Sequence, residues 1–124
     1  MNFTSQYNYK RGDIMKEISL RHLTGKWWEV TEDYWYGDVL IPKGFKTDLA
    51  SIPRVLWSIF PPFGNYTTPA VIHDHAYKTC YNSRAEADKE FRDNCKAYGT
   101  PSWKANSFYG AVRLFGRSHY NEEV

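Results

Sequence analysis

His73-Asp74-His75-Ala76-Tyr77, followed by Ala87-Asp88, brings together the residue types that hydrolysis needs. An imidazole takes up protons near neutral pH, and a carboxylate on its ring orients it and raises its basicity. His73 and Tyr77 are four positions apart, so a helix puts them on one face with Asp74 about 100° around. If this helix and the next form a tight antiparallel hairpin turning at Asn82-Ser83, the residue facing Tyr77 lies close to Asp88. His73 then lies one turn further along, still within side-chain reach of Asp88. Asp74 is left to bind a hard cation such as Ca²⁺ with loop carbonyls and water. The pattern reads as His73 acting as general base on a water, Asp88 orienting it, and a metal on Asp74 polarising an ester carbonyl. A structural reading competes with it: His73 and Asp74 bond to the backbone of the Asp48–Ser51 loop and pin it, because buried polar groups satisfy folding needs first. His75 is expected to point away from His73 and stand exposed.

The loop Thr47-Asp48-Leu49-Ala50-Ser51-Ile52-Pro53-Arg54 is the second constellation. Small hydroxyls, a carboxylate and an arginine ahead of a helix suit either a hydrogen-bonded turn or an anion and metal site. Asp48 is the candidate second metal ligand. Arg54 pairs with Asp48 or Asp74, or holds a substrate carboxylate or phosphate. Ser51 is the other candidate substrate contact. As a nucleophile it lacks a Gly-x-Ser-x-Gly elbow around it.

These residues must be positioned by the elements around them. Glu17 to Leu23 alternates polar and apolar as a half-buried strand does, and Thr24-Gly25 turns into a Trp- and Val-rich second strand over Lys26 to Glu32. After Tyr34-Trp35-Tyr36, Gly37-Asp38 makes a turn and Val39-Leu40-Ile41 forms a third strand ended by Pro42. A short helix is predicted near Pro53, stopped by Pro61-Pro62. Thr68-Pro69 predicts a helix start running to about Cys80. Ser83-Arg84-Ala85-Glu86 is a capping box opening a second helix to about Tyr98, in which Ala87, Asp88 and Phe91 look inward and Arg84, Lys89 and Glu90 outward. Thr100-Pro101 opens a third, with Phe108, Ala111, Val112 and Phe115 as its apolar stripe. The expectation is an α+β fold: a small N-terminal antiparallel β-meander packed on a C-terminal bundle of about three helices. Residues 1–124 read as one domain, with 1–13 a loosely ordered arm and 118–124 a polar tail.

Composition narrows the function classes. Sixteen basic against fourteen acidic residues leave a net charge of +2. The basic residues are scattered, so no clear nucleic-acid signal is present. No stretch approaches the roughly 20 apolar residues of a transmembrane segment, and the N-terminus does not read as a signal peptide. Five Trp, ten Tyr and seven Phe are enough to build a core and leave rings for a partner surface. The hairpin geometry puts Cys80 and Cys95 roughly 15 Å apart, too far for a disulfide, so both are expected as free thiols.

The loop Phe45–Arg54, the His73–Tyr77 run, Arg84, Ala87-Asp88, Phe91 and Val112-Arg113-Leu114-Phe115-Gly116 resemble the domain of unknown function 1353 family. That family is common in tailed bacteriophages and prophages, and the likeness covers roughly residues 27 to 117. It implies a phage-borne protein, found in the host cytoplasm during infection or in the phage virion. His-Asp-x-x-Tyr on one helix and Ala-Asp-x-x-Phe on the next are also similar to phospholipase A2 domains, including those of parvovirus capsids. That likeness implies His73 as general base, Asp74 as calcium ligand, Tyr77 as supporting phenol and Asp88 as the carboxylate behind the histidine.

Two classes of function follow. One is a metal-assisted, Ca-dependent ester or amide hydrolase acting on a lipid or envelope substrate. The other is a non-enzymatic phage virion or tail accessory, or a host-protein binder, using the aromatic-rich N-terminal half and Tyr-rich arm.

Overall fold

A computed structural model describes residues 16–49 and 66–120. The short helix predicted near Pro53, and Ser51 and Arg54 with it, lie outside the described residues. The order is β1 (Leu20–His22), β2 (Trp28–Val30), β3 (Tyr34–Tyr36), β4 (Val39–Ile41), β5 (Lys46–Thr47), α1 (Thr67–Thr79), α2 (Arg84–Ala97) and α3 (Ser102–Phe115), with a 3₁₀ turn over Arg117–His119. Antiparallel strands followed by three packed helices make the fold α+β.

The strands form two small sheets rather than one run of neighbours. In the first, β2 is central, with β1 on one edge (Arg21 opposite Glu29) and β5 on the other (Trp28 opposite Thr47). In the second, β3 pairs with β4, Tyr34 opposite Ile41. Gly37, at φ +62°, opens the two-residue loop between them, where a hairpin needs a positive φ. The third strand of the main sheet is thus Lys46–Thr47, from a segment read in the sequence as loop. Two residues are too short to show a period.

α1 is the central helix: every residue from Thr68 to Tyr77 is buried. A helix apolar or small on all sides belongs inside, and Pro69, Ala70, Val71, Ile72 and Ala76 give it that character. Thr68 does not cap it. Its hydroxyl accepts the Ile18 N–H (3.1 Å) and donates to Glu17 (2.7 Å), tying the start of the β-layer to α1. Ser83 caps α2 as its sequence predicts, in a reciprocal capping box with Glu86. α3 starts after Pro101 without a side-chain cap, so the second Thr-Pro pair does not act as one either.

The main core gathers Val30, Tyr34 and Ile41 from the sheets, Val71 from α1, Phe91 from α2 and Phe108 from α3. Tyrosine hydroxyls stitch its edge. The Tyr34 and Tyr98 hydroxyls lie 2.9 Å apart and within 2.8 and 2.9 Å of the Lys16 carbonyl, so their two protons are shared among three close oxygen approaches. Phe115, expected in the apolar stripe of α3, is 55% exposed beyond the end of that core. Both cysteines are free. Cys80 is the C-cap of α1, in the left-handed region, and Cys95 is buried in α2.

Candidate functional site

α1 and α2 run side by side as the hairpin requires, and their facing side chains meet at Asp88, which is fully buried. His73 Nε2 lies 2.7 Å from Asp88 Oδ1, and the Tyr77 hydroxyl donates to the same oxygen at 2.6 Å. Oδ2 accepts from Arg113 Nη1 at 2.8 Å, with the Arg84 guanidinium 4.0 Å away. Arg84 also donates to the Tyr77 hydroxyl (3.1 Å) and to the carbonyls of Val112 and Arg113 (both 2.7 Å). One carboxylate therefore joins all three helices, and its charge is offset by two guanidinium groups.

The sequence reading places Arg84 outward, and the structure corrects this: Arg84 folds back one turn onto Asp88 and Tyr77. The Arg84–Asp88 spacing of i to i+4, which favours an ion pair on a helix, was the available signal for Arg84. Arg113 reaches Asp88 from α3, and no local spacing announces that.

Electrostatics favour an ionised carboxyl beside a neutral ring. Burial alone would raise the Asp88 pKa, but the bonds from His73, Tyr77 and Arg113 overcome it and hold the carboxyl below its ordinary value. Burial lowers the His73 pKa below the usual imidazole value, against the opposing pull of Asp88 and with help from the Arg84 charge. A neutral imidazole beside an ionised carboxylate must donate its proton to it. In that state Nε2 carries the hydrogen, and Nδ1 keeps a lone pair. Among the described residues Nδ1 has no hydrogen-bond partner. The ring is packed by Tyr77 at 4.2 Å and Phe91 at 4.9 Å between centroids. His73 is only 3% exposed, so the imidazole is enclosed by protein rather than open to solvent.

Asp74 points to the other side of α1, toward the end of β5. Its Oδ2 accepts the Asp48 N–H at 3.4 Å, and the Thr47 hydroxyl bonds it too. For Asp74, then, the loop-pinning contact is present. For His73 the partner is Asp88 instead. Leu49 adopts a left-handed backbone (φ +59°), and its N–H bonds the Thr47 hydroxyl, which turns the chain sharply just past Asp48. Burial first, and the charge of nearby Asp48 second, push the Asp74 pKa up to about 7. Asp48 itself pairs with Lys26 Nζ at 3.9 Å. Two buried carboxylates sharing one environment suit a hard cation, which relieves their repulsion. Among the described residues no three His, Cys, Asp or Glu side chains converge as metal ligands. Carbonyls and water would have to complete a calcium sphere.

His75 is not the exposed histidine expected from sequence. It is buried at 7% exposure, edge-on to Phe45 at 5.0 Å between centroids. Because α1 is enclosed on all sides, the face opposite His73 is covered by the β-layer.

The site therefore brings His73, Tyr77 and Asp88 into one network and Asp48 with Asp74 into a second, both on α1. A family model described as "Protein of unknown function (DUF1353)" matches residues 28–112, which span both networks. The chain belongs to the DUF1353 family. This DUF1353 chain is 38% identical over 78 residues to the "Uncharacterized protein y4jT" of Sinorhizobium fredii (strain NBRC 101917 / NGR234). The match covers 61% of the chain but 23% of that relative, so the chain spans about a quarter of the relative's length. No solved structure matches it. No helix among the described residues is long and apolar enough to cross a membrane.

Proposed function

We propose that this DUF1353 protein is a hydrolase of ester or amide bonds, with His73 as general base. One observation carries the reading: Nε2 of His73 is 2.7 Å from Asp88, while Nδ1 is buried and unbonded among the described residues. In the reaction, Nδ1 takes a proton from water as the water oxygen attacks the carbonyl carbon. The bond to the leaving oxygen or nitrogen then breaks, and His73 returns the proton to it, giving an acid and an alcohol or amine. Asp88 positions the ring through the reaction, and Tyr77 positions Asp88. Because His73 is buried, substrate entry requires the Nδ1 side of the ring to be uncovered. Asp48 and Asp74 are the residues that would hold Ca²⁺, and their shared burial favours such a charge. When bound, the ion supplies Lewis-acid polarisation of a carbonyl oxygen. Ser51 and Arg54 stay candidate substrate contacts on the strength of their residue types. The likeness to phospholipase A2 domains favours a lipid or envelope ester, and the loop signature favours a phage-borne protein acting in the host cytoplasm or from the virion.

The test is hydrolysis of phospholipid vesicles and of simple aryl esters, with Ca²⁺ or chelator, by the wild type and His73→Gln. Calcium-dependent turnover that falls by about 10²-fold or more in a folded His73→Gln protein is expected. Equal rates in the two proteins, or no turnover in either, would overturn the proposal.

The second reading, a non-enzymatic virion or tail accessory or a host-protein binder, is favoured by α3. That helix leaves Trp103 65%, Leu114 76% and Phe115 55% exposed. Fixed copy number in purified phage particles would support it. A monomer absent from particles and without partners in pull-downs would oppose it.

A further inference from the structure

Apart from the buried networks, two turns and the end of α1 frame a cleft of about 630 Å³. Leu23 and Thr24 come from the β1–β2 turn, Gly44 and Phe45 from the approach to β5, Lys46 from β5 itself, and Lys78 from the last turn of α1. Trp27 forms part of the wall, and the Lys78 ammonium lies over its ring at 5.3 Å from the centroid. Lys26 lies over the same ring at 5.4 Å. The lining is thus of two kinds. Leu23, Trp27 and Phe45 offer an apolar wall, Lys46 and Lys78 offer positive charge, and no carboxylate lines the cleft among the described residues.

We propose that this cleft binds a single-chain organic anion, its aliphatic tail against Leu23, Trp27 and Phe45 and its anionic head between Lys46 and Lys78. Charge complementarity decides the sign of the ligand: the lining carries two lysines and no carboxylate, while the nearby acids, Glu29 opposite Lys46 on β2 and Asp74 one turn before Lys78 on α1, stay outside it. Shape decides the class. The volume falls in the roughly 300–1,000 Å³ range of small-molecule sites, which suits one head and one tail. The cleft also adjoins the site described above, because Phe45 packs on His75 and Lys26 pairs with Asp48. Binding does not depend on hydrolysis, so the two proposals can fail separately.

The experiment is calorimetric titration of the full chain with octyl sulfate below its micelle concentration. Octyl glucoside (the same tail, uncharged), inorganic sulfate and anionic phospholipid vesicles serve as further arms. Octyl sulfate is expected to bind at least about tenfold more tightly than octyl glucoside or sulfate, and to weaken as salt screens the lysines. Lys46→Gln/Lys78→Gln should lose that preference while melting like the wild type, and Lys89→Glu on the exposed face of α2 should keep it. Lys46→Gln alone, at an exposed strand position, should lose part of the preference and guards against a fold defect in the double variant. Equal affinity for the charged and uncharged amphiphiles, undiminished binding in the double variant, no binding of octyl sulfate, or binding of vesicles alone would overturn the proposal.

Discussion

Tyr77 and His73, one helical turn apart on α1, converge on a single oxygen of Asp88, at 2.6 and 2.7 Å. Sharing one acceptor fixes both side chains at once, because neither can rotate without giving up a charge-assisted bond in a dry interior. Tyr77→Phe removes one of these donors and the acceptor for Arg84, while Asp88 keeps His73 and Arg113. A loss of about 1–2 kcal/mol is expected. Asp88→Asn removes the charge that two guanidinium groups and an imidazole surround, and should cost about 3 kcal/mol or more. Urea denaturation of the two variants checks the order: the Asn variant should be the weaker.

Gly116 presses on the same phenol. A Cβ there would lie 2.5 Å from the Val112 carbonyl and 2.7 Å from the Tyr77 hydroxyl. Its φ of −83° is open to any residue, so the constraint is steric. Gly116→Ala should therefore destabilise by about 1–3 kcal/mol and displace Tyr77 from Asp88. Gly110, inside α3, is the contrast: a Cβ there meets nothing within 4 Å. Gly110→Ala should stabilise by about 0.5–1 kcal/mol through helix propensity. Thermal melts of the pair should move in opposite directions.

Much of this network could be read in the sequence, and the reasons are local. The four-residue step from His73 to Tyr77 and the Ser83–Glu86 capping box set the face and the register of the hairpin, which brings Asp88 opposite. The rest depended on distant parts of the chain. Arg113 arrives from α3, β5 is two residues long, and Thr68 serves Glu17 and Ile18 rather than its own helix. His75 is buried because α1 has no outer face over Thr68 to Tyr77. The run of small and apolar residues on all its sides is the sign of that.

Acid should destabilise the fold through its histidines. Burial lowers both His73 and His75 below the usual 6.5, so the unfolded chain takes up protons first as pH falls. The stability they contribute is intact above that value and drains away below it. Asp74 works in the opposite sense. With its pKa raised from 3.8 to about 7, the folded state holds the proton first, and its penalty is relieved as pH falls through that window. Asp74→Asn deletes the opposing contribution. The variant should be more stable than the wild type at pH 8 and lose stability more steeply on acidification to pH 5. Parallel stability profiles for the two proteins would contradict the placement of Asp74 beside Asp48.

Calcium offers an independent check on the same carboxylates. At pH 8, millimolar Ca²⁺ should raise the melting temperature of the wild type by relieving the Asp48–Asp74 repulsion, and chelator should reverse the gain. Asp74→Asn should show little of it. A wild type indifferent to Ca²⁺ would leave these residues as loop fasteners only.

The most direct test of the central claim is the tautomer of His73, read from imidazole nitrogen shifts by NMR at pH 7. The expected spectrum has a neutral ring, hydrogen on Nε2 in its bond to Asp88, and a bare Nδ1. That state should persist well below the pH at which an ordinary histidine charges. A hydrogen on Nδ1, or a ring fully charged at pH 7, would mean that no base is held ready there.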